Sequence, residues 1–179
     1  MTRRRWLLGA CALVCPSIGR AHAQAAAGGI RVMAREKSLA EQFLVLLNEF
    51  GRKDVGRYAH GITLYAAAKA EFDGLISELE HELGQAQPPD QSAAFQTALN
   101  GAVDKRIAFT SFVNDEILPQ ASGTQKKGIG DFISVVPELV KALTEAGISI
   151  WREFRSAGEA RRNQMRQELE ALRWPAFKP

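Results

Sequence analysis

The chain has 179 residues, of which 46% are hydrophobic and 24% are charged, and its formal net charge is +3. This length suffices for one domain with a hydrophobic core, and two domains are not expected. The sequence has no internal repeat and no long heptad pattern, which excludes a repeat protein and a fibrous coiled coil.

The N-terminus has the three parts of a signal peptide. Residues 3–5 are arginines, residues 6–14 are largely apolar, and Ala-His-Ala at 21–23 is a small-x-small cleavage signature. The apolar run is about half the length that spans a bilayer. We therefore expect residues 1–23 to be removed after Ala23 during export, which makes the protein periplasmic or secreted and leaves no transmembrane anchor.

The route of export stays open. Residues 2–8 resemble the twin-arginine signature, which directs proteins that fold before export, but an arginine-rich Sec signal begins in the same way. A lipoprotein signal is a further alternative because residues 8–11 resemble a lipobox. Cleavage at that position leaves a very short apolar region, so we favour the cleavage site after residue 23.

Removal of the signal peptide changes the chemistry of the chain. Lys and Arg fall from 23 to 19 against 20 Asp and Glu, so the net charge becomes about −1. The basic character of the precursor is therefore no indication of nucleic-acid binding. Cys11 and Cys15 are also lost, and they are the only cysteines. Disulfides, thiolate metal sites and cysteine nucleophiles are thus excluded from the mature chain.

The mature chain begins with small residues and then becomes helical. Residues 24–37 start with Gln-Ala-Ala-Ala-Gly-Gly, which indicates a flexible leader. Ser38 and Glu41 have the spacing of a capping box, and the apolar stripe that follows predicts a first helix over 39–50. We interpret residues 38–179 as a single helical-bundle domain.

The middle of the chain predicts two long helices. Asp54 is a suitable N-cap, and apolar residues at alternating three- and four-residue steps predict a helix over 54–83. A Gln-Pro-Pro-Asp turn follows, and a similar stripe predicts a third helix over 91–118, ending before Pro119. Residues 120–130 have the small and basic composition of an exposed loop.

The last part of the chain allows two interpretations. A helix is predicted over 131–146, and Pro137 either lies in its first turn or kinks it. Gly147 has the sequence context of a Schellman cap, which predicts a break and a last helix over 149–173. One kinked helix over 131–173 is the alternative.

The predicted fold class is all-α. No segment shows the two-residue alternation of a half-buried strand. Long helices joined by short turns are typical of an elongated, antiparallel, up-and-down bundle, here with four to five helices.

Conventional catalytic and cofactor motifs are missing. His60 and His81 are the only histidines after residue 23, and they lie about 31 Å apart along one predicted helix, too far to share a metal ion. Glu78 and His81 have the Glu-x-x-His spacing of di-iron bundles, but the second copy that such sites need is absent. The sequence also lacks haem-attachment, phosphate-loop and nucleophile-elbow motifs. We predict no metal, cofactor or catalytic residue, although a triad or a carboxylate pair formed in three dimensions stays open.

Three basic residues occupy positions where the helical rhythm predicts an apolar side chain: Lys69, Arg106 and Arg162. One interpretation is a polar layer inside the bundle that holds an anionic group, and these residues are then candidate ligands. We favour a one-residue shift of register with the long side chains pointing outward, because burying a lone cation is costly. This shift places Ala70, Val103 and Ala160 inside.

Charge is unevenly distributed along the chain. Residues 71–90 contain six acids and no Lys or Arg, whereas residues 152–178 contain seven bases and four acids. The simplest interpretation is solvated helix faces. The two regions could also lie side by side and set the helix order, or form two faces of a partner-binding surface.

Our leading hypothesis is therefore an exported, non-catalytic helical protein that acts by protein–protein binding, such as an accessory, chaperone-like or immunity factor. An alternative is a sensor or ligand-binding bundle that holds a small anion or apolar molecule in its core. A third hypothesis is an enzyme whose site the sequence does not reveal.

Overall fold

The computed structural model describes residues 16–51, 54–120 and 136–177. All regular secondary structure in these ranges is helical, which confirms the prediction of an all-α bundle. The five main helices are α1 Pro16–Gly51, α2 Val55–Glu82, α3 Ala93–Phe112, α4 Val136–Ser156 and α5 Glu159–Glu170.

The first four helices run alternately up and down. Gly29 in the first half of α1 lies against Ala146 at the middle of α4. Gly61, near the start of α2, lies against Leu47 near the end of α1 and Phe112 at the end of α3. The most extensive helix contacts are α2 with α3 and α1 with α4. The bundle is thus built from two antiparallel pairs.

The core is apolar, and aromatic rings link its helices. Phe109 of α3 makes edge-to-face contacts with Phe43 of α1 at 5.3 Å and with Tyr65 of α2 at 5.5 Å between ring centroids. Each of these three side chains is at least 97% buried. Burial of a large apolar side chain contributes roughly 1.5–3 kcal/mol, so this cluster is a main source of stability.

Helix α1 is much longer than the predicted helix over 39–50, and the prediction of a flexible leader over 24–37 is wrong. These residues belong to α1, and Met33 is fully buried. A Cβ atom at Gly29 would lie 2.9 Å from the carbonyl oxygen of Ala146. The glycine therefore serves close packing of α1 against α4. The predicted signal peptide lies largely outside the described residues, and its cleavage stays a prediction.

The predicted break at Gly147 is also wrong. Gly147 lies inside α4, where an added Cβ would approach the Phe95 ring of α3 to 2.9 Å, so packing and not helix termination requires the glycine. The break falls instead between α4 and α5, where Gly158 is the N-cap of α5. The described residues thus contain two helices: α4 ends at residue 156 and not at 146, and α5 spans 159–170 and not 149–173. The predicted start at residue 131 lies outside the described residues, and Pro137 lies in the first turn of α4 as described.

The third helix is shorter and less regular than the predicted 91–118. Ser92 caps α3 by accepting a hydrogen bond of 3.3 Å from the Phe95 backbone N–H. After Phe112 the chain continues as a π-helical turn, Val113–Ile117, and a 3₁₀ turn, Leu118–Gln120. The change of pitch keeps Val113 and Ile117 buried.

Residues 171–177 follow α5 without helical structure and pack against α1 and α2; we call them the C-terminal strap. Lys37 of α1 donates a hydrogen bond of 2.9 Å to the Ala171 carbonyl, and Tyr65 of α2 donates one of 2.7 Å to the Pro175 carbonyl. The Trp174 ring stacks on Tyr65 at 5.8 Å and on Phe72 at 5.1 Å. The strap therefore joins α5 to α1 and α2.

The strap also brings basic and acidic regions of the sequence together. Arg173 donates hydrogen bonds to the Asp73 carbonyl at 3.0 Å and to the Glu80 carboxylate at 3.4 Å. The Trp174 backbone N–H donates to the Asp73 carboxylate at 3.0 Å. At this place, the opposite charges lie side by side and fix the position of the strap.

Gly29→Ala tests the close contact between α1 and α4. The added methyl meets the backbone of Ala146, and we expect the free energy of unfolding to fall by about 1–3 kcal/mol, as for overpacked cores. Gly28→Ala is the matched control, because an added Cβ there meets nothing within 4 Å. It should instead stabilise the helix by up to about 1 kcal/mol. Urea denaturation of both variants would measure this, and equal effects would contradict the contact.

The buried phenol of Tyr65 should make the protein less stable at alkaline pH. Burial, followed by the charges of Asp73 and Glu41, raises the pKa of Tyr65 well above its ordinary value of 10.0. Unfolding therefore releases the phenol proton above pH 10, so this residue's contribution to the free energy of unfolding falls as the pH rises past that value.

In Tyr65→Phe, the free energy of unfolding should fall less steeply as the pH rises above 10. At neutral pH it should be about 0.5–1.5 kcal/mol lower than in the wild type, because the hydrogen bond to the Pro175 carbonyl is lost. Tyr58→Phe is the control, because Tyr58 is only half-buried. Urea midpoints measured from pH 8 upward give the comparison. Identical alkaline slopes for the wild type and Tyr65→Phe would contradict the assignment.

Candidate functional site

The three basic residues singled out in the sequence do not form one polar layer. Lys69 of α2 is half-buried and pairs with Asp73 one turn later. Arg106 lies on α3 and Arg162 on α5, and each bonds to different groups. The favoured register shift is only partly right: Val103 is buried, but Ala70 and Ala160 are exposed, and Arg106 points inward.

Arg106 forms a buried ion pair with a residue that the sequence analysis placed in the flexible leader. Its Nε donates to Glu36 Oε2 at 2.8 Å and its Nη2 to Glu36 Oε1 at 3.4 Å. Arg106 is 6% exposed and Glu36 5% exposed. A buried cation is tolerable when a carboxylate accepts hydrogen bonds from two N–H groups along one edge of the guanidinium in this way. The pair joins α1 to α3, and we assign it a structural role.

Arg162 closes the junction between α4 and α5. Its Nε donates to the Phe154 carbonyl at 2.9 Å and its Nη2 to the Arg155 carbonyl at 3.2 Å. These carbonyls lie in the last turn of α4, where the backbone lacks helical partners. The guanidinium carbon also lies 5.5 Å from the centre of the Phe154 ring. Arg162 therefore fixes the angle between the two helices.

An open cleft of about 570 Å³ lies beside this junction, and we call it the basic cleft. It is lined by Leu83, Gly84, Phe154, Arg155, Glu159, Arg162, Asn163 and Arg166. The first two residues directly follow α2, the next two belong to α4, and the others belong to α5. Three guanidinium groups thus face one carboxylate, which gives the cleft an excess of positive charge.

Aromatic rings support the guanidinium groups of the basic cleft. Arg166 lies 5.2 Å from the centre of the Phe154 ring, on which Arg162 also packs. Arg155 lies 5.8 Å from the centre of the Trp151 ring. Stacking limits the motion of these long side chains without consuming their hydrogen-bond donors. Such a cluster suits binding of carboxylate or phosphate groups.

Sequence reasoning identified Arg162 but missed Arg155 and Arg166. Glu159, Arg162, Asn163 and Arg166 lie three, four and seven residues apart, which places them on one face of a helix. This spacing was visible in the sequence. The contribution of Arg155 was not, because it depends on the angle between α4 and α5.

His60 and His81 both lie on the surface. His60 is exposed and contacts the Phe112 ring at 5.2 Å, and His81 is exposed beside Gln85. Within the described ranges, no group of three or more His, Cys, Asp or Glu side chains is placed to hold a metal ion. None of the described helices has both the length and the apolar character required to cross a membrane.

No protein-family model, curated protein or solved structure matches the chain. Its function is therefore inferred from the geometry of the chain itself.

Replacing one residue of the Glu36–Arg106 ion pair should lower the free energy of unfolding much more than replacing both. Glu36→Leu leaves Arg106 buried without its carboxylate, and we expect a loss of about 3–5 kcal/mol in the free energy of unfolding. Replacing both residues, with Glu36→Leu and Arg106→Met, should recover most of that loss. Urea denaturation of the single and double variants would measure the coupling. Additive losses would contradict a direct interaction between the two side chains.

Proposed function

We propose that this protein is an exported, non-catalytic helical protein that binds a protein partner, and that the basic cleft receives an acidic segment of that partner. The observation that carries this proposal is the gathering of Arg155, Arg162 and Arg166 around one cleft. An accessory, chaperone-like or immunity factor would act in this way. Export rests on the predicted signal peptide.

Two of the three guanidinium groups are available to a ligand. In the described part of the chain, no carboxylate lies within ion-pair distance of Arg155 or Arg166. By contrast, Arg161 of α5 forms ion pairs of 2.8 Å with Glu153 and Glu168. Arg155 and Arg166 are exposed. Their donors therefore face solvent, and they can bind a carboxylate in the bidentate geometry that arginine favours.

Preorganisation supports binding at this place. The Phe154 and Trp151 rings already restrict the guanidinium groups, so less side-chain entropy is lost when a partner binds. Arginine and aromatic residues are also enriched at the energetically important centres of protein interfaces. Positive charge in the cleft would speed the encounter with an acidic partner, most strongly at low salt.

A small anionic ligand is the second candidate. The volume of the basic cleft, about 570 Å³, lies within the usual range of small-molecule sites. The chemistry of recognition is the same in both cases. A partner segment would add contacts outside the cleft, whereas a small anion would bind through the arginines alone.

Binding of a fluorescently labelled hexaglutamate peptide tests the proposal. Arg155→Ala combined with Arg166→Ala should weaken binding by about tenfold or more, because each charge-assisted hydrogen bond contributes up to about 1.5–3 kcal/mol before solvent screening. Arg152→Ala is the matched control, since Arg152 is exposed on α4 and lies outside the cleft. Fluorescence anisotropy at low and high salt gives the affinities.

Two further measurements separate the candidates. Titration with citrate in competition with the peptide distinguishes a small-anion site from one that needs an extended segment. A pull-down from periplasmic extract with the same variants identifies the partner, which should be lost with the double variant and kept with Arg152→Ala. Equal affinity of both variants for the peptide, or a partner retained by both, would refute a role for the basic cleft.

A further inference from the structure

A second cleft lies at the turn between α2 and α3, next to the basic cleft but with different chemistry. Its volume is about 360 Å³. It is lined by Glu82, Gln85, Ala86, Gln87 and Ser92. No basic residue contributes to this lining, which consists of one acidic, one apolar and three neutral polar residues. We call it the Glu82 cleft.

Glu82 differs from the other buried glutamates of the described chain. Glu36, 5% exposed, pairs with Arg106, and Glu153, 5% exposed, pairs with Arg161. Glu82 is 6% exposed, no ion pair or hydrogen bond to its carboxylate is seen within the described residues, and its oxygen atoms keep some access to solvent. This carboxylate lines an open cleft and is not enclosed by apolar neighbours alone.

An unpaired carboxylate in such a position is costly. Burial removes water from a charged group, and the loss is normally offset by a cation or by several hydrogen bonds. Groups that a protein keeps at the expense of stability are often those that bind something else. The cleft beside Glu82 has room for such a ligand.

The surroundings favour a cation. The segment from residue 71 to residue 90 carries six acids and no Lys or Arg, and the cleft lies at its C-terminal end, although Asp73 and Glu80 are paired with Lys69 and Arg173. Gln85, Gln87 and Ser92 add neutral oxygen atoms that accept hydrogen bonds. One carboxylate with neutral acceptors matches the three donors and single charge of an ammonium group. Calcium typically takes six to eight oxygen ligands and more than one carboxylate.

We propose that the Glu82 cleft binds an alkylammonium group, with the Glu82 carboxylate as its counter-ion. The group belongs either to a small free amine or to a lysine side chain of a protein, since both present the same chemistry. This site is independent of the basic cleft, and neither its existence nor its ligand class depends on binding of an acidic segment.

Two substitutions on α2 test the proposal. Glu82→Gln has the same shape without the charge, and Glu78→Gln makes the same charge change at a half-buried position one turn earlier, outside the cleft. Without ligand, Glu82→Gln should raise the melting temperature by a few degrees, because it removes an unpaired charge that is partly shielded from water. Glu78→Gln should leave the melting temperature nearly unchanged.

The ligand experiment uses n-butylammonium chloride, with sodium chloride at equal ionic strength as the reference. Trp151 is a suitable reporter, because its indole N–H donates to the Gln85 carbonyl at 3.2 Å. We expect saturable changes in fluorescence and melting temperature for the wild type and Glu78→Gln. For Glu82→Gln the affinity should fall by about tenfold or more, as for the loss of a charge-assisted hydrogen bond.

A second probe, acetyl-Gly-Lys-Gly-amide, separates the two sources of the ammonium group. Binding at least as tight as that of n-butylammonium assigns the site to lysine side chains of a protein, and binding of n-butylammonium alone assigns it to a small amine. The proposal is overturned if neither probe changes the wild-type signals. It is also overturned if Glu82→Gln binds them equally well, or if this variant melts at a lower temperature than the wild type.

Discussion

The docking of Trp174 between α5 and the rest of the bundle is the interaction on which the candidate surface depends. Helix α5 buries only Met165 and Leu169, so its own apolar contacts hold it weakly. The strap that follows buries Trp174 against Tyr65 and Phe72, and backbone and charged groups of the strap bond to α2. Because half of the residues that line the basic cleft lie on α5, the cleft exists only while this contact holds the helix in place.

The end of α2 separates two clefts of opposite character. Leu83 and Gly84 form one wall of the basic cleft, whereas Glu82 and Gln85 line the other cleft. The two clefts lie on different sides of this helix end because the side chains of consecutive residues in a helix point more than a quarter-turn apart. A partner with both acidic and basic side chains could therefore engage this end of the bundle over a continuous surface.

Periodicity predicted the helices well where one face of the helix is consistently apolar, as in α2 with Phe72 and Leu79. It failed where small residues meet another helix. Gly29 and Gly147 have the sequence character of a flexible segment and a helix stop, yet both lie within helices at close contacts. A glycine in a turn and a glycine at a tight helix crossing look alike in the sequence. Only the position of the neighbouring helix distinguishes the two.

The all-α class, the antiparallel hairpin of α2 and α3, and the unusual position of Arg106 on an apolar stripe could be predicted from the sequence, because they follow from the local spacing of apolar and polar residues. Tertiary structure alone decided that Arg106 meets Glu36, that Arg155 joins Arg162 and Arg166, and that Glu82 is buried without a cation. Each of these depends on which helices become neighbours, and a pairing between residues as distant as 36 and 106 leaves no local pattern.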